Sequence, residues 1–322
     1  MPRPPRPTPL SATPTPTAAP APAPAADLPA ERNERDLVWS DVWDNLGRAV
    51  WTVVVWGLFI LIVLGPLATV VAFSLTSSVF EGFHPTLAQY REIFASAANY
   101  YPLLRSFEVA LIVVAVQLVL GTIIAYSTVR RKVFGSNLMD AMCNLTIALP
   151  SVVIGLALLS FYGPFGPFHT FSEWVLSNPL ALTWTLWIVV LAHTLETFPY
   201  MVRTVGSVLA QVPKNLESAA HSLGAGRFTV FRTVLLPQIK QSLLAGSVLV
   251  FSRSIAEFGA TIIVVSAVLR TAPIKIYSEA EAGRMELAAA YSVILMAVSL
   301  VIYLALRRAT RQGLTALEMQ GH

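Results

Sequence analysis

The chain is so apolar that its few chemically capable side chains stand out. In the stretch FSRSIAEFGATIIVV, Arg253 and Glu257 stand four residues apart, the spacing that sets two side chains on one helix face within pairing reach. An ionisable group at membrane depth is costly unless it is paired or lines a cavity. The two therefore read either as a buried pair that fixes helix packing or as part of a path through a membrane. Ser254 adds polarity beside them, Gly259 offers close backbone approach, and Glu196 in the preceding apolar run is a further candidate for the same interior face. No catalytic constellation accompanies them. The phosphate-binding pattern G-x-x-x-x-G-K-[ST] is absent, so the chain is not expected to bind or hydrolyse ATP. His84, His169, His193, His221 and His322 are scattered without ligand-like pairing, and Cys143 is the single cysteine, so neither a metal site nor a disulfide is expected.

What must position these residues is a set of membrane helices. Over 322 residues, 55% are hydrophobic and 12% charged, about half the charged fraction of soluble domains. Six apolar stretches each approach the roughly 20 residues that cross a hydrocarbon core: Ala49 to Leu75, Leu103 to Val129, Met139 to Tyr162, Leu182 to Met201, Gln238 to Val265 and Leu287 to Leu306. Kinks are expected at Gly65-Pro66 and at Pro150. The fold class that follows is an all-α membrane protein, a six-transmembrane-helix bundle over residues 49–308.

Basic residues set the orientation. Arg3, Arg6, Arg32, Arg35 and Arg48 precede the first stretch; Arg130, Arg131 and Lys132 follow the second; Arg203, Lys214, Arg227 and Arg232 follow the fourth; Arg307, Arg308 and Arg311 end the last. These mark the cytoplasmic side and place both termini there. The opposite side carries fewer cations: Arg91, then Arg270, Lys275 and Arg284. The net charge of +4 forms no patch interleaved with stacking aromatics, so no nucleic-acid partner is expected. Residues 1–35, rich in Pro, Ala and Thr, read as a disordered tail, and 309–322 as a short cytoplasmic one. Trp39, Val42, Trp43, Leu46 and Val50 share a helical face, which suggests an interfacial helix over 36–48. In the first external loop, Leu87, Tyr90, Ile93 and Phe94 share one face and read as a short helix lying along the external surface.

Between the fourth and fifth stretches lies a polar segment, Val212 to Pro237, VPKNLESAAHSLGAGRFTVFRTVLLP. Leu216, Ala219, Ala220 and Leu223 recur with helical spacing, and Gly224 follows where a helix end favours a left-handed residue. Helical patterning resumes from Gly226 to Leu236, before Pro237, giving helix, sharp turn, helix. A contact face of Leu and Ala lets another backbone approach closely, which fits a groove on a protein partner.

The segment resembles the cytoplasmic coupling loop of the permease subunits of binding-protein-dependent ABC importers, whose signature reads E-A-A, three residues, G, nine residues, I, x, L-P. Ala219, Ala220, Gly224, Val234, Leu236 and Pro237 fall on it in register. Ser218 holds the signature's first position and the acid stands one residue earlier, at Glu217. L-E-x-A-A-x-x-L-G-A-G, the stretch R-S-x-x-E-F-G-A-T around Arg253, and A-L-P-S-V-V-I-G-L-A-L-L from Ala148 to Leu159 are similar to molybdate, tungstate and sulfate permeases. The resemblance implies that Glu217, Ser218, Ala219, Ala220, Leu223, Gly224, Leu236 and Pro237 form the ATPase-coupling site. Arg253, Ser254, Glu257 and Glu196 stand as candidates for the translocation path or for intramembrane polar packing, and the wording around Arg253 resembles the fifth span of those permeases. The resemblance implies partners as well: a cytoplasmic ATPase dimer carrying ATP and Mg, an external solute-binding protein, and a second permease copy or a paralogue, in a bacterial or archaeal inner membrane. A phosphonate, polyamine or ferric iron importer shares the same signature. A secondary transporter or membrane scaffold would lack it, and the inverted repeat that would favour a secondary transporter is not seen.

Overall fold

The computed structural model describes residues 34–78, 84–131, 134–176, 185–265 and 269–318. The proline-rich stretch up to residue 33, Lys132, Leu182 and His322 lie outside them, as do the side chains of Trp39, Val42 and Trp43. Among the described residues every element is helical apart from one isolated bridge between Thr76 and Pro85.

The chain divides into two units, at residues 1–63 and 64–322. In the first, α1 (Glu34–Phe59) runs without a break through Arg48, so residues 36–48 are its opening turns and not a separate helix. Its large apolar side chains are exposed, Trp51 at 70% among them, as suits a helix whose solvent is hydrocarbon. A π-wound turn, Ile60–Leu64, follows it.

The second unit begins with α2 (Gly65–Ser74), which carries Pro66 in its first turn. Proline lacks an N–H and its ring collides with the carbonyl four residues back. A wider π turn just before it relieves both demands. Next come α3 (Ala88–Ala95) and α4 (Ala97–Tyr126), the latter ending in a second π-wound turn, Ser127–Arg131. In α3 the buried residues are Gln89 and Ile93, whereas Leu87 and Phe94 are exposed. The short helix expected there is present, and its buried side is set by polar anchors: Gln89 Nε2 donates to the Thr76 carbonyl at 2.8 Å and Tyr90 to Ser74 Oγ at 2.8 Å.

The third apolar stretch is broken rather than kinked. α5 (Ser136–Ala148) and α6 (Ser151–Tyr162) are separated at Leu149, whose ψ of 136° is extended, the conformation that a following proline imposes. α7 (Pro167–Leu176) and α8 (Leu186–Gln211) follow. Then come α9 (Lys214–Ser222), α10 (Arg227–Val230), a third π-wound turn at Phe231–Leu235, and α11 (Leu236–Ile255). α12 (Gly259–Val264), α13 (Ala272–Glu281) and α14 (Met285–Glu318) complete the chain.

Five helical runs among the described residues are long and apolar enough to cross a membrane: Leu46–Ser74, Ala97–Arg131, Ser151–Trp174, Arg227–Ile255 and Met285–Ala305. The expected fourth span corresponds to α8, which is not among them. α8 buries its polar side chains, His193, Glu196 and Thr197, inside the bundle, and a helix shielded by its neighbours needs no apolar surface of its own.

The core forms where α4, α8 and α11 meet, around Val109, Val113, Ile188, Met201, Val205, Ile239 and Val250. Lipid tails are as apolar as leucine, so helices in a membrane associate through close packing rather than hydrophobic burial. Gly155 of α6 shows this: a methyl group there would come 2.6 Å from the Ala260 carbonyl oxygen of α12. A second cluster, Ile93, Leu103, Ala272, Leu287, Ala290 and Tyr291, ties α3, α4, α13 and α14 at the other end.

Candidate functional site

Two groups of residues stand out, one at a helix turn and one inside the bundle. The turn is α9 with its flanks. α8 ends at Gln211 with Val212 as its cap, Pro213 caps α9 in an extended conformation, and no residue of α9 is buried. Gly224 N–H donates to the His221 carbonyl at 2.9 Å and Ala225 N–H to the Ala220 carbonyl at 3.0 Å. With Gly224 at φ +84°, this is the Schellman arrangement that satisfies the last carbonyls of a helix. The left-handed glycine expected from the sequence is there. His221 Nδ1 closes the same turn on the Ala225 carbonyl at 2.9 Å.

The turn leaves apolar side chains in the open. Leu223 is 89% exposed, Phe228 75% and Leu216 41%, while Ala219 and Ser218 are exposed and Ala220 half-buried. Helix does not stop at Pro237: the π-wound turn before it lets α10 run into α11, with Leu236 and Pro237 in the first turn of α11. The turn is thereby joined by unbroken helix to a membrane run.

Glu217 does not point into the open with the rest of α9. Its Oε1 lies 2.9 Å from Nε of Arg130, an ion pair whose N–H is angled off the oxygen. Arg130 Nη2 also donates to the Val212 carbonyl at 2.7 Å. Sequence reasoning took Arg130 for a topology marker only. Its place at the end of an apolar run, 87 residues before the acid it meets, carries no local pattern.

Inside the bundle the four expected residues come together with different partners. Arg253 does not pair with Glu257. α11 ends at Ile255 and α12 starts at Gly259, so the helical spacing between the two residues is lost. Arg253 Nη2 instead bonds Glu196 Oε1 of α8. The Arg253 side chain is 46% exposed and that of Glu196 only 6%, and Glu196 Oε2 is buried with no hydrogen-bond partner among the described residues. Glu257 holds the break. Its Oε1 accepts the Ala260 N–H at 2.8 Å, and its Oε2 accepts from Thr261 Oγ at 3.4 Å, satisfying donors that the start of α12 leaves open.

His193 completes the cluster and was not anticipated. Its Nδ1 lies 2.8 Å from Ser254 Oγ and its Nε2 2.7 Å from Thr261 Oγ, so one buried ring bridges α8 to both sides of the α11–α12 break. Thr197 and Gln117 continue the network: Gln117 Nε2 donates to the Thr194 carbonyl at 2.6 Å and to Thr197 Oγ at 3.2 Å. The signal was readable, because His193, Glu196 and Thr197 have i, i+3, i+4 spacing on one polar stripe of α8.

At the far end, Arg105, Arg270 and Lys275 line a cavity of about 500 Å3 with Asn99 and Tyr101. Lys275 pairs with Glu279 at 2.5 Å. Arg284 bridges Glu92 and Glu279, and its bond to Glu92 holds it above the usual arginine range. Among the described residues no group of His, Cys, Asp and Glu is placed to hold a metal.

An all-helical bundle with an exposed, glycine-terminated helix between two membrane runs is the build of an importer's membrane subunit. Residues 117–312 match the family described as binding-protein-dependent transport system inner membrane component, a range that holds both groups of residues. The chain belongs to that family and is a multi-pass inner-membrane permease subunit of an ABC importer, itself non-catalytic. It is 36% identical over 217 residues to the molybdenum transport system permease protein ModB of Escherichia coli (strain K12), covering 65% of this chain and 93% of that protein. It is 36% identical over 146 residues to the sulfate transport system permease protein CysT of the same strain, covering 45% of this chain and 52% of that one. A solved bacterial ABC transporter involved in the import of the acidic polysaccharide alginate aligns at TM-score 0.67 and 14% identity, over 85% of this chain and 98% of its own. At that identity the likeness concerns the fold alone.

Proposed function

We propose that this permease carries a small oxyanion, molybdate, tungstate or sulfate, and that two copies of the chain enclose the path. The observation that carries the solute class is the 36% identity along 93% of a molybdenum permease. Two features of the chain support it. The half-exposed Arg253, steadied by Glu196, offers guanidinium donors at membrane depth, and the cavity lined by Arg105, Arg270 and Lys275, of which Arg105 and Lys275 pair with Glu108 and Glu279, offers further cations at the external end. In this reading α8 serves as a sixth span, shielded by its neighbours, and both termini are cytoplasmic.

The driving force comes from outside the chain. A cytoplasmic ATPase dimer docks on α9 of each copy, where Leu216, Leu223 and Phe228 supply exposed apolar surface. An external binding protein delivers the solute. ATP shifts the equilibrium between inward-open and outward-open states only if the ATPase contacts α9 differently in the two. The test is uptake of labelled molybdate and sulfate by membranes holding the permease with its genomic neighbours, with unlabelled tungstate and a phosphonate as competitors. Competition by tungstate and not by phosphonate is expected. Uptake indifferent to all the oxyanions would overturn the solute class.

A further inference from the structure

α9 is the element on which an ATPase would push, yet the structure gives it little to lean on. None of its nine residues is buried. Its side-chain hydrogen bonds are local: Ser218 Oγ donates to the Lys214 carbonyl at 3.3 Å, Ser222 Oγ to the Ser218 carbonyl at 3.0 Å, and His221 closes its own turn. It is joined to α8 through Val212 and Pro213, both extended, and Pro213 has no N–H with which to brace the junction. A helix so attached can rock about that junction.

Arg130 stops it. The π-wound turn Ser127–Arg131 carries α4 to this junction, and there one guanidinium takes hold on both sides of Pro213. Nη2 donates to the Val212 carbonyl at 2.7 Å, before the proline, and Nε faces Glu217 at 2.9 Å, beyond it. The Arg130 side chain is 5% exposed and that of Glu217 16%. A charge held this far from water persists only if its partners compensate it. The planar guanidinium can bond one acceptor through Nη2 while holding its charge against a second at Nε, whereas the point charge of lysine cannot keep both in the same geometry.

We infer that Arg130 is a positioning residue for energy coupling: it fixes the angle of α9, so that a push on α9 moves α4 with it and is not lost as rocking about Val212–Pro213. The inference rests on the proposed docking of an ATPase on α9. It also gives Glu217, one place ahead of the family's signature acid, a partner within its own chain.

The test uses the full-length permease in membranes, in wild-type form and as Arg130→Gln, Arg130→Lys and Glu217→Gln. Two readouts are taken: amide hydrogen exchange over 214–223 in the absence of nucleotide, and ATP hydrolysed per solute taken up in the assembled transporter. Loss of the charge-assisted contacts in Arg130→Gln should speed exchange in α9 by about tenfold or more, with α8 and α11 unchanged. The ATP-to-solute ratio should rise alongside, and Arg130→Lys should fall between the two.

Wild-type exchange in Arg130→Gln would overturn the inference. So would hydrolysis and uptake that fall together at constant ratio, the signature of mere loss of folded protein. If Arg130→Gln does not accumulate, Glu217→Gln, which keeps the Val212 bond, is read by the same exchange measurement, and unchanged exchange there is equally adverse. A wild-type transporter that takes up no oxyanion would refute the solute assignment, while exchange in α9 would still decide the role of Arg130.

Discussion

Replacing Arg253 with methionine removes the cation bonded to Glu196 while keeping most of its volume. Glu196 is 6% exposed and one of its oxygens already has no hydrogen-bond partner among the described residues. Stranding a buried charge in this way costs about 3–5 kcal/mol. The reverse change, Glu196→Gln, strands a guanidinium that is 46% exposed; where that face meets a water-lined path its cost should be about 1 kcal/mol or less. A gap of about 2 kcal/mol between the two single variants is a factor of roughly 30 in the folding equilibrium. The double variant removes both members of the pair and should recover all but about 1 kcal/mol of the loss, the remainder being the buried amide. Abundance in the membrane and thermal unfolding in detergent would rank the three, with oxyanion uptake measured on the same preparations. If Arg253 serves only packing, uptake in the double variant should return with abundance; if it faces the path, uptake should stay low. Equal destabilisation by the two single variants, or a double variant no better than Arg253→Met, would refute the asymmetry and with it the buried pair.

Gly224→Val should cost about 1–2 kcal/mol, since a residue with a Cβ resists φ +84°, and no neighbouring atom crowds the site; normal abundance with ATPase activity uncoupled from uptake is expected. Leu223→Asp changes a side chain that is 89% exposed, so thermal stability should hold within about 0.5 kcal/mol while ATPase pull-down is lost. Gly155→Leu should lower the unfolding temperature sharply, because even a methyl there meets the Ala260 carbonyl, and overpacking of this kind costs about 1–3 kcal/mol or more. His193→Ala leaves the buried Ser254 hydroxyl without its partner and Thr261 with only its 3.4 Å bond to Glu257, at about 1–3 kcal/mol for the stranded hydroxyl, readable as a fall in unfolding temperature without loss of membrane insertion.

Much of the exposed turn was legible in the sequence, and the reason is that its signals are local. Gly224 follows a helix at the one position where a left-handed residue closes it, and backbone geometry over six residues decides the matter. The π-wound turn before Pro237 was not legible, because it is a backbone adjustment that no residue type announces. The polar cluster was legible as a set and not as pairs. Arg253 and Glu257 looked like partners on a continuous helix, but the helix breaks at Ala256–Phe258 and each residue turns to a different neighbour.

The sequence by itself determined the helical class, the membrane setting, the place of the turn and the presence of costly polar groups within the apolar runs. Those properties depend on composition, periodicity and caps, all of which act within a few residues. Only the tertiary structure decided that Glu196 takes Arg253, that His193 bridges both sides of a broken helix, and that Arg130 grips the far side of a proline junction. These contacts join residues 57 to 87 positions apart, and a side chain a few ångströms long can find such a partner only after packing has brought the helices together.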